Sequence, residues 1–224
     1  KPQIADQIAI GYFRNFQKGD YSLEVESYYK KVKNRIDYID GADLIANEAI
    51  EQVILNGRMR SYGLEVLFRK NSGDFNGWVA YTLSRSEQQT PGRTPTEIGI
   101  NNGDWYRSAY DKTHNLAVTG SYKLNQKWTF GANFTLQTGQ PVTFPTGKYV
   151  FQGVTIPSYN SRNEDRLPAY HRLDISATLT PKHKEKHKYK REWVFGIYNL
   201  YSRYNAASIS FRQNSETGNN EAVK

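Results

Sequence analysis

Cysteine is absent from the 224 residues, so neither a disulfide framework nor a thiolate metal site can form. Methionine occurs once. No stretch approaches the roughly 20 consecutive apolar residues that a membrane-crossing helix needs, which excludes a helical membrane protein. No initiator methionine and no apolar leader precede Lys1-Pro2-Gln3, and the chain runs out in the polar stretch RQNSETGNNEAVK. Both ends read as cuts, and the expectation is an internal piece of a longer protein.

What is present is aromatic and basic. There are 17 Tyr, 10 Phe and 4 Trp, and 30 Lys and Arg against 22 Asp and Glu give a net charge of +8. Helix signals are scarce, and alternation with a period of two recurs. In KWTFGANFTLQ (127–137), Trp128, Phe130, Ala132, Phe134 and Leu136 alternate with Lys127, Thr129, Gly131, Asn133, Thr135 and Gln137. The same pattern marks 21–29, 61–70, 114–122 and 171–179; with 7–16, 76–84 and 192–200 it predicts eight strands.

The predicted connections alternate in length. Residues 17–19, 71–75, 123–126 and 181–190 are short or moderate turns; 33–57, 87–110, 139–169 and all after 201 are long and polar. Short turns at one end and long loops at the other, between strands of about 9–11 residues, describe a transmembrane β-barrel. In lipid the backbone must satisfy itself, so the outer face must be apolar while a wet lumen accepts charge. Glu24, Glu26, Glu65, Arg69 and Asp174 fall on the polar phase of their strands and are expected to line the lumen. Trp78, Tyr122, Trp128 and Trp193 lie near strand ends, where aromatic girdles form. A soluble antiparallel sheet with one wet face alternates too and stays open as a reading.

Several phrases in order, SYGLEVLFRK, NGWVAYTLSRSE, the run from YDKTHNLAV to QPVTFPTG, YNSRNEDRLPAYHRLDISATL and WVFGIYNLYSRYNA, resemble the C-terminal barrel strands of TonB-dependent outer-membrane transporters, most of all the Bacteroidota type. The resemblance runs from about Lys1 to Ala207. It implies an all-β transmembrane antiparallel barrel, with residues 1–224 supplying about eight strands of a 22-stranded type. On that template the plug domain, the TonB box and the final strand are absent from the chain. It implies a Gram-negative outer-membrane location and import of a nutrient such as a siderophore, oligosaccharide or peptide. The implied partners are outer-membrane lipid, the TonB–ExbB–ExbD system, optionally a surface lipoprotein, and an extracellular substrate, but no nucleic acid.

Chemistry is thin elsewhere. His183 and His187 stand four apart, but the intervening and flanking lysines repel a cation and no third ligand is near, so PKHKEKHKYKR (181–191) is expected to be a solvated turn. A nucleic-acid patch would want interleaved aromatics, and only Tyr189 offers one. His114 and His171 each have an Asp nearby (Asp111, Asp174), but there is no G-x-S-x-G elbow, so no catalytic residue, metal site or cofactor is assigned. Two loops, NGDWYRSAYD (102–111) and PSYNSRNEDRLPAY (157–170), combine Trp, Tyr, Arg and Asn as ligand-recognition surfaces do. Trp105, Tyr106, Arg107, Tyr159, Arg162 and Arg166 are the substrate-binding candidates; packing of loop against loop is the competing use, and ion pairing with Glu164 and Asp165 competes for the arginines. The functional alternatives are a small self-contained outer-membrane barrel with a structural or adhesive role, and an outer-membrane enzyme.

Overall fold

The computed structural model describes residues 1–42, 49–182, 189, 191–213 and 220–223. Its strands are β1 (Ile4–Phe16), β2 (Tyr21–Tyr38), β3 (Ile54–Lys70), β4 (Phe75–Gln89), β5 (Trp105–Arg107), β6 (His114–Lys123), β7 (Trp128–Gln137), β8 (Pro141–Val142), β9 (Pro145–Phe151), β10 (Val154–Tyr159), β11 (Asp165–Arg166), β12 (Tyr170–Leu179), β13 (Trp193–Ile197), β14 (Ser210–Gln213) and β15 (Asn220–Val223). All eight strands expected from alternation join one antiparallel sheet in the order β1-β2-β3-β4-β6-β7-β12-β13, with β5 added to the end of β4. Each long strand pairs with those before and after it, so the sheet is a meander. Among the described residues β1 and β13 are not paired with each other, and the sheet is an open arc.

Register carries the alternation across the sheet. Residues directly opposite share a face, and the chain of partners Val25↔Val66↔Tyr81↔Leu116↔Leu136 is apolar throughout. One residue out of phase, Glu26↔Glu65↔Thr82↔Asn115↔Gln137 is polar throughout. Glu24, Glu26, Glu65, Arg69 and Asp174 all belong to this second face, the last two through Arg69↔Trp78↔Thr119↔Asn133↔Asp174. That pairing corrects one expectation. Trp78 is not in the girdle with Tyr122, Trp128 and Trp193; Val79 must sit between Phe68 and Val118 on the apolar face, which turns Trp78 to the polar one.

The strands differ in length from the expectation as well. β2 and β3 reach 18 and 17 residues because 30–38 and 54–60, which include both ends of the expected 33–57 loop, continue the ladder at the long-loop end. A bulge between Lys33 and Arg35, with Asn34 at φ 55°, interrupts that extension. β13 is shorter than expected: Asn199 turns left-handed at φ 53°, and its N–H donates to Asp174 Oδ1 at 2.9 Å, leading the chain off the sheet. At the opposite end the connections are short, and neighbouring turns bond to each other, Asn71 N–H to Asp20 O at 2.8 Å. A single-layer sheet has no interior of its own. Among the described residues, the one buried apolar cluster, Leu55, Ile100 and Tyr106 with Ile39 against it, lies at the long-loop end.

A candidate ligand cleft at the long-loop end

β5 pairs with the end of β4 as Glu87↔Arg107, Gln88↔Tyr106 and Gln89↔Trp105, so Tyr106 points away from Trp105 and Arg107. Tyr106 turns into the small core and is 5% exposed. Its hydroxyl donates to Asp37 Oδ2 at 2.7 Å and meets Gln88 Nε2 and Thr90 Oγ1, each at 2.9 Å. Burial pushes its ionisation up to about 12, with the Asp37 carboxylate adding to the rise. Trp105 faces the other way, and the Arg60 guanidinium stacks on its ring at 4.1 Å. Arg60 also donates to buried Glu87, whose second oxygen accepts from Arg85 at 2.7 Å.

The 139–169 connection is strapped over this layer by two arginines. Arg162 reaches Asp37 Oδ1 at 3.0 Å and pairs with Asp40, while its backbone N–H donates to Asn101 Oδ1 at 2.7 Å. Arg166 pairs with Asp111 and donates to Gly139 O at 2.7 Å and Thr113 Oγ1 at 3.1 Å. Asp111 is 1% exposed, and its other oxygen accepts from Ser86 N–H at 2.7 Å. Asn163, between the two arginines, donates to Arg107 O at 2.8 Å. Three connections far apart in the chain thus meet in one hydrogen-bonded layer.

A cleft of about 410 Å³ opens in this layer, and Trp105, Tyr106, Arg107 and Arg162 line it together with Asp104 and Glu164. Four of the six expected binding residues are therefore together, though not all are available to a ligand. The Tyr106 hydroxyl and the Arg162 and Arg166 guanidinia are turned to the protein, and Arg107 stands 3.7 Å from Asp111. Trp105, Arg107 and the exposed carboxylates of Asp104 and Glu164 are the accessible part. Arg166 does not line the cleft, and neither does Tyr159, exposed at the end of the β9–β10 hairpin. Local ion pairing with Glu164 or Asp165 is not what engages Arg162 and Arg166; their partners lie 27 to 125 residues away.

The polar face of the sheet holds the remaining candidates. Glu24, Glu26 and Glu65 line a hollow of about 270 Å³ with Phe13, Leu67 and Thr82. Asp174 accepts from Arg172 Nε at 3.0 Å. Neither histidine pairs with the aspartate near it in sequence: His114 Nδ1 meets Tyr81 Oη at 2.8 Å and His171 Nδ1 meets Tyr201 Oη at 2.7 Å. His183 and His187 lie outside the described residues. Among the described residues no group of three or more His, Asp or Glu side chains could hold a metal, and no helix is long and apolar enough to cross a membrane.

A two-faced meander with long loops gathered at one end is the wall of a membrane barrel, and the family model described as TonB dependent receptor-like, beta-barrel matches residues 1–200. The chain belongs to that family. TonB-dependent receptors are outer-membrane proteins of Gram-negative bacteria, and the chain is placed in that membrane. Among solved structures, the ferric-catecholate import receptor Fiu from K12 E. coli shares the fold at a TM-score of 0.61 and 15% identity, covering 100% of this chain and 26% of that one. The outer-membrane ferripyoverdine receptor of Pseudomonas aeruginosa, bound to ferripyoverdine, does so at 0.61 and 13%, covering 94% and 24%. The chain thus spans about a quarter of the length of these structures. A search of curated protein sequences finds no match.

Proposed function

We propose that the chain is an arc of the wall and mouth of an outer-membrane importer that takes up a nutrient without covalent chemistry. On this reading residues 1–224 form part of a larger barrel, closed by strands beyond β1 and β13 and filled by a plug that the TonB–ExbB–ExbD system pulls. Glu24, Glu26, Glu65, Arg69 and Asp174 then line the lumen, and the apolar face meets lipid. A surface lipoprotein over the mouth is compatible with the cleft and is not needed for it.

The observation that carries the reading is the cleft itself. Three long connections are locked into one rigid layer, and the lock leaves Trp105, Arg107, Asp104 and Glu164 facing an open hollow. Rigid layers of this kind present a few polar and aromatic groups in fixed positions, as ligand sites do. The two solved relatives are named for ferric chelates, so an iron chelate is the first ligand class to test, ahead of oligosaccharides and peptides. The test is uptake by cells carrying the intact receptor. Trp105→Ala is expected to cut binding about tenfold or more while the receptor still reaches the membrane, a loss in the range of an aromatic anchor. Unchanged uptake of every ligand that the parent receptor imports would overturn the assignment of the cleft.

A further inference from the structure

The apolar face is not uniform. Near the short-turn end its side chains shrink to Gly120, Ala132 and Ala177 on adjacent strands, and Phe75, Phe130 and Phe195 rise around them. The Phe75 ring lies over Gly120, where an added Cβ would meet it at 3.4 Å. The result is an apolar groove of about 520 Å³ in a surface that otherwise only needs to be greasy.

What lies beside the groove is equally specific. One row nearer the turns, Trp128, Leu179 and Trp193 pair across β7, β12 and β13 and put two indoles at the level where interfacial aromatics sit. Next come the turns themselves, held together by Thr180 N–H donating to Lys127 O at 2.7 Å. They carry the exposed cations Lys127, Lys182 and Arg191, whose side chains have no acidic partner within 4 Å among the described residues. From Lys127 to Ala132 is five residues, roughly 16 Å along the strand. Cation, indole and groove therefore follow one another in the order phosphate, glycerol and acyl chain take in a leaflet.

We infer that this groove is a binding site for an anionic glycerophospholipid of the periplasmic leaflet, with an acyl chain against Gly120, Ala132 and Ala177 and its phosphate on Lys127, Lys182 and Arg191. The short turns of such barrels face the periplasm, which assigns the leaflet. Charge decides the headgroup: Lys127, Lys182 and Arg191, without an acidic partner within 4 Å among the described residues, outnumber Glu192 beside them, and with a low-dielectric wall they favour a net negative lipid over a zwitterionic one. The site rests on the membrane placement of the chain and not on which nutrient the mouth takes.

The test uses the intact receptor reconstituted in vesicles of phosphatidylglycerol or phosphatidylcholine, extracted gently and weighed with its bound lipid by native mass spectrometry. Retained phosphatidylglycerol and little phosphatidylcholine is the expected result for the parent protein. The triple change Lys127→Gln, Lys182→Gln and Arg191→Gln is expected to weaken retention roughly fivefold per cation removed. Ala177→Phe, which fills the groove and leaves the cations in place, is expected to abolish retention. Equal retention of both lipids, or retention unmoved by either set of changes, would overturn the site. If Ala177→Phe fails to fold, a phosphatidylglycerol with a photoreactive acyl tail replaces it: labelling within 120–132 or 175–197 supports the site, and labelling spread evenly over the sheet sinks it. The chain itself offers no competing cysteine, and cross-linking of a thiol placed by Ala132→Cys to a second receptor copy in place of lipid would also count against the proposal.

Discussion

The wall and the mouth of this chain solve the same problem in opposite solvents. In the wall every strand pairs with the strand before and after it in the meander, β7 with β12 across the 139–169 connection, and the side chains have only to be apolar on one face and polar on the other. Its large apolar residues stay exposed, Ile10 at 77% and Phe195 at 57%, as a face turned to lipid on the proposed reading would have them. The mouth buries polar side chains instead: Glu87, Gln88, Thr90, Ser108 and Asp111 are all enclosed, and those with a charge are matched to a guanidinium. Lipid tolerates a wall with no core, whereas water at the mouth demands one, and there a hydrogen-bonded layer supplies what apolar packing cannot. Away from its groove the wall therefore depends little on which apolar residue it carries, and the mouth is sensitive to single polar atoms.

The sharpest way to break that contrast is Asp111→Ala. It leaves the Arg166 guanidinium and the Ser86 N–H without their partner inside the mouth, a change that typically costs about 3–5 kcal/mol. The expected outcome is rapid proteolysis within 139–169 on intact cells, with the barrel still folded. The wall is probed by charge. Val118→Arg, on the apolar face, is expected to lower stability by about 2–4 kcal/mol in a urea titration in lipid vesicles, whereas Thr119→Arg, one residue out of phase, costs little.

A smaller effect is expected from Tyr106→Phe, which removes the hydroxyl's bonds to Asp37 and Thr90 while Gln88 Nε2 still donates to Asp37 Oδ2 at 2.6 Å, about 1 kcal/mol. It also changes the response to base. The folded mouth holds the Tyr106 proton more tightly than an unfolded chain does, near 12 against 10. The stabilisation from this residue is thus complete below pH 10 and is lost as pH rises toward 12. Alkaline loosening of the loops, followed by proteolysis, should be missing from that window in the phenylalanine variant. Least of all is expected from Glu97→Gln. The Arg93 guanidinium and N–H hold the Glu97 carboxyl below its usual range, but the pair is exposed. The change should leave unfolding where it was and alter only local exchange of the Arg93 N–H, whose bond weakens as acid protonates the parent carboxylate.

The same division explains what the sequence made legible. Residues 127–137 state their own structure, because a period of two in side-chain polarity is a direct image of the pleat. All eight strands of the wall could be read that way, as could the phase of Glu24, Glu26, Glu65, Arg69 and Asp174. The error at Trp78 arose because an aromatic near a strand end fits a girdle by composition, while only its pairing with Arg69 says which face it takes. The mouth had no such period. Trp105, Tyr106, Arg107 and Arg162 were found by composition and do come together, yet nothing local distinguishes Trp105, turned to the cleft, from Tyr106, turned to Asp37. Of the carboxylates that organise the layer, Asp37 and Glu87 are not among the sequence candidates, and Asp111 is singled out there only as a neighbour of His114. Their partners are set by the fold, and a buried acid looks in sequence like any solvated one.

The long reach of Arg162 also orders events in time. Its contact with Asp37 closes a span of 125 residues, whereas each strand of the meander closes against its immediate predecessor. Loop-closure entropy grows with the span, and distant contacts form only after nearer ones have shortened the path between them. The hairpins zip first, and the strap over the mouth is the last piece to lock. A chain caught before that step has its arc of sheet paired and its loop layer still open, so the arginine that ties the loops also marks when the layer is finished.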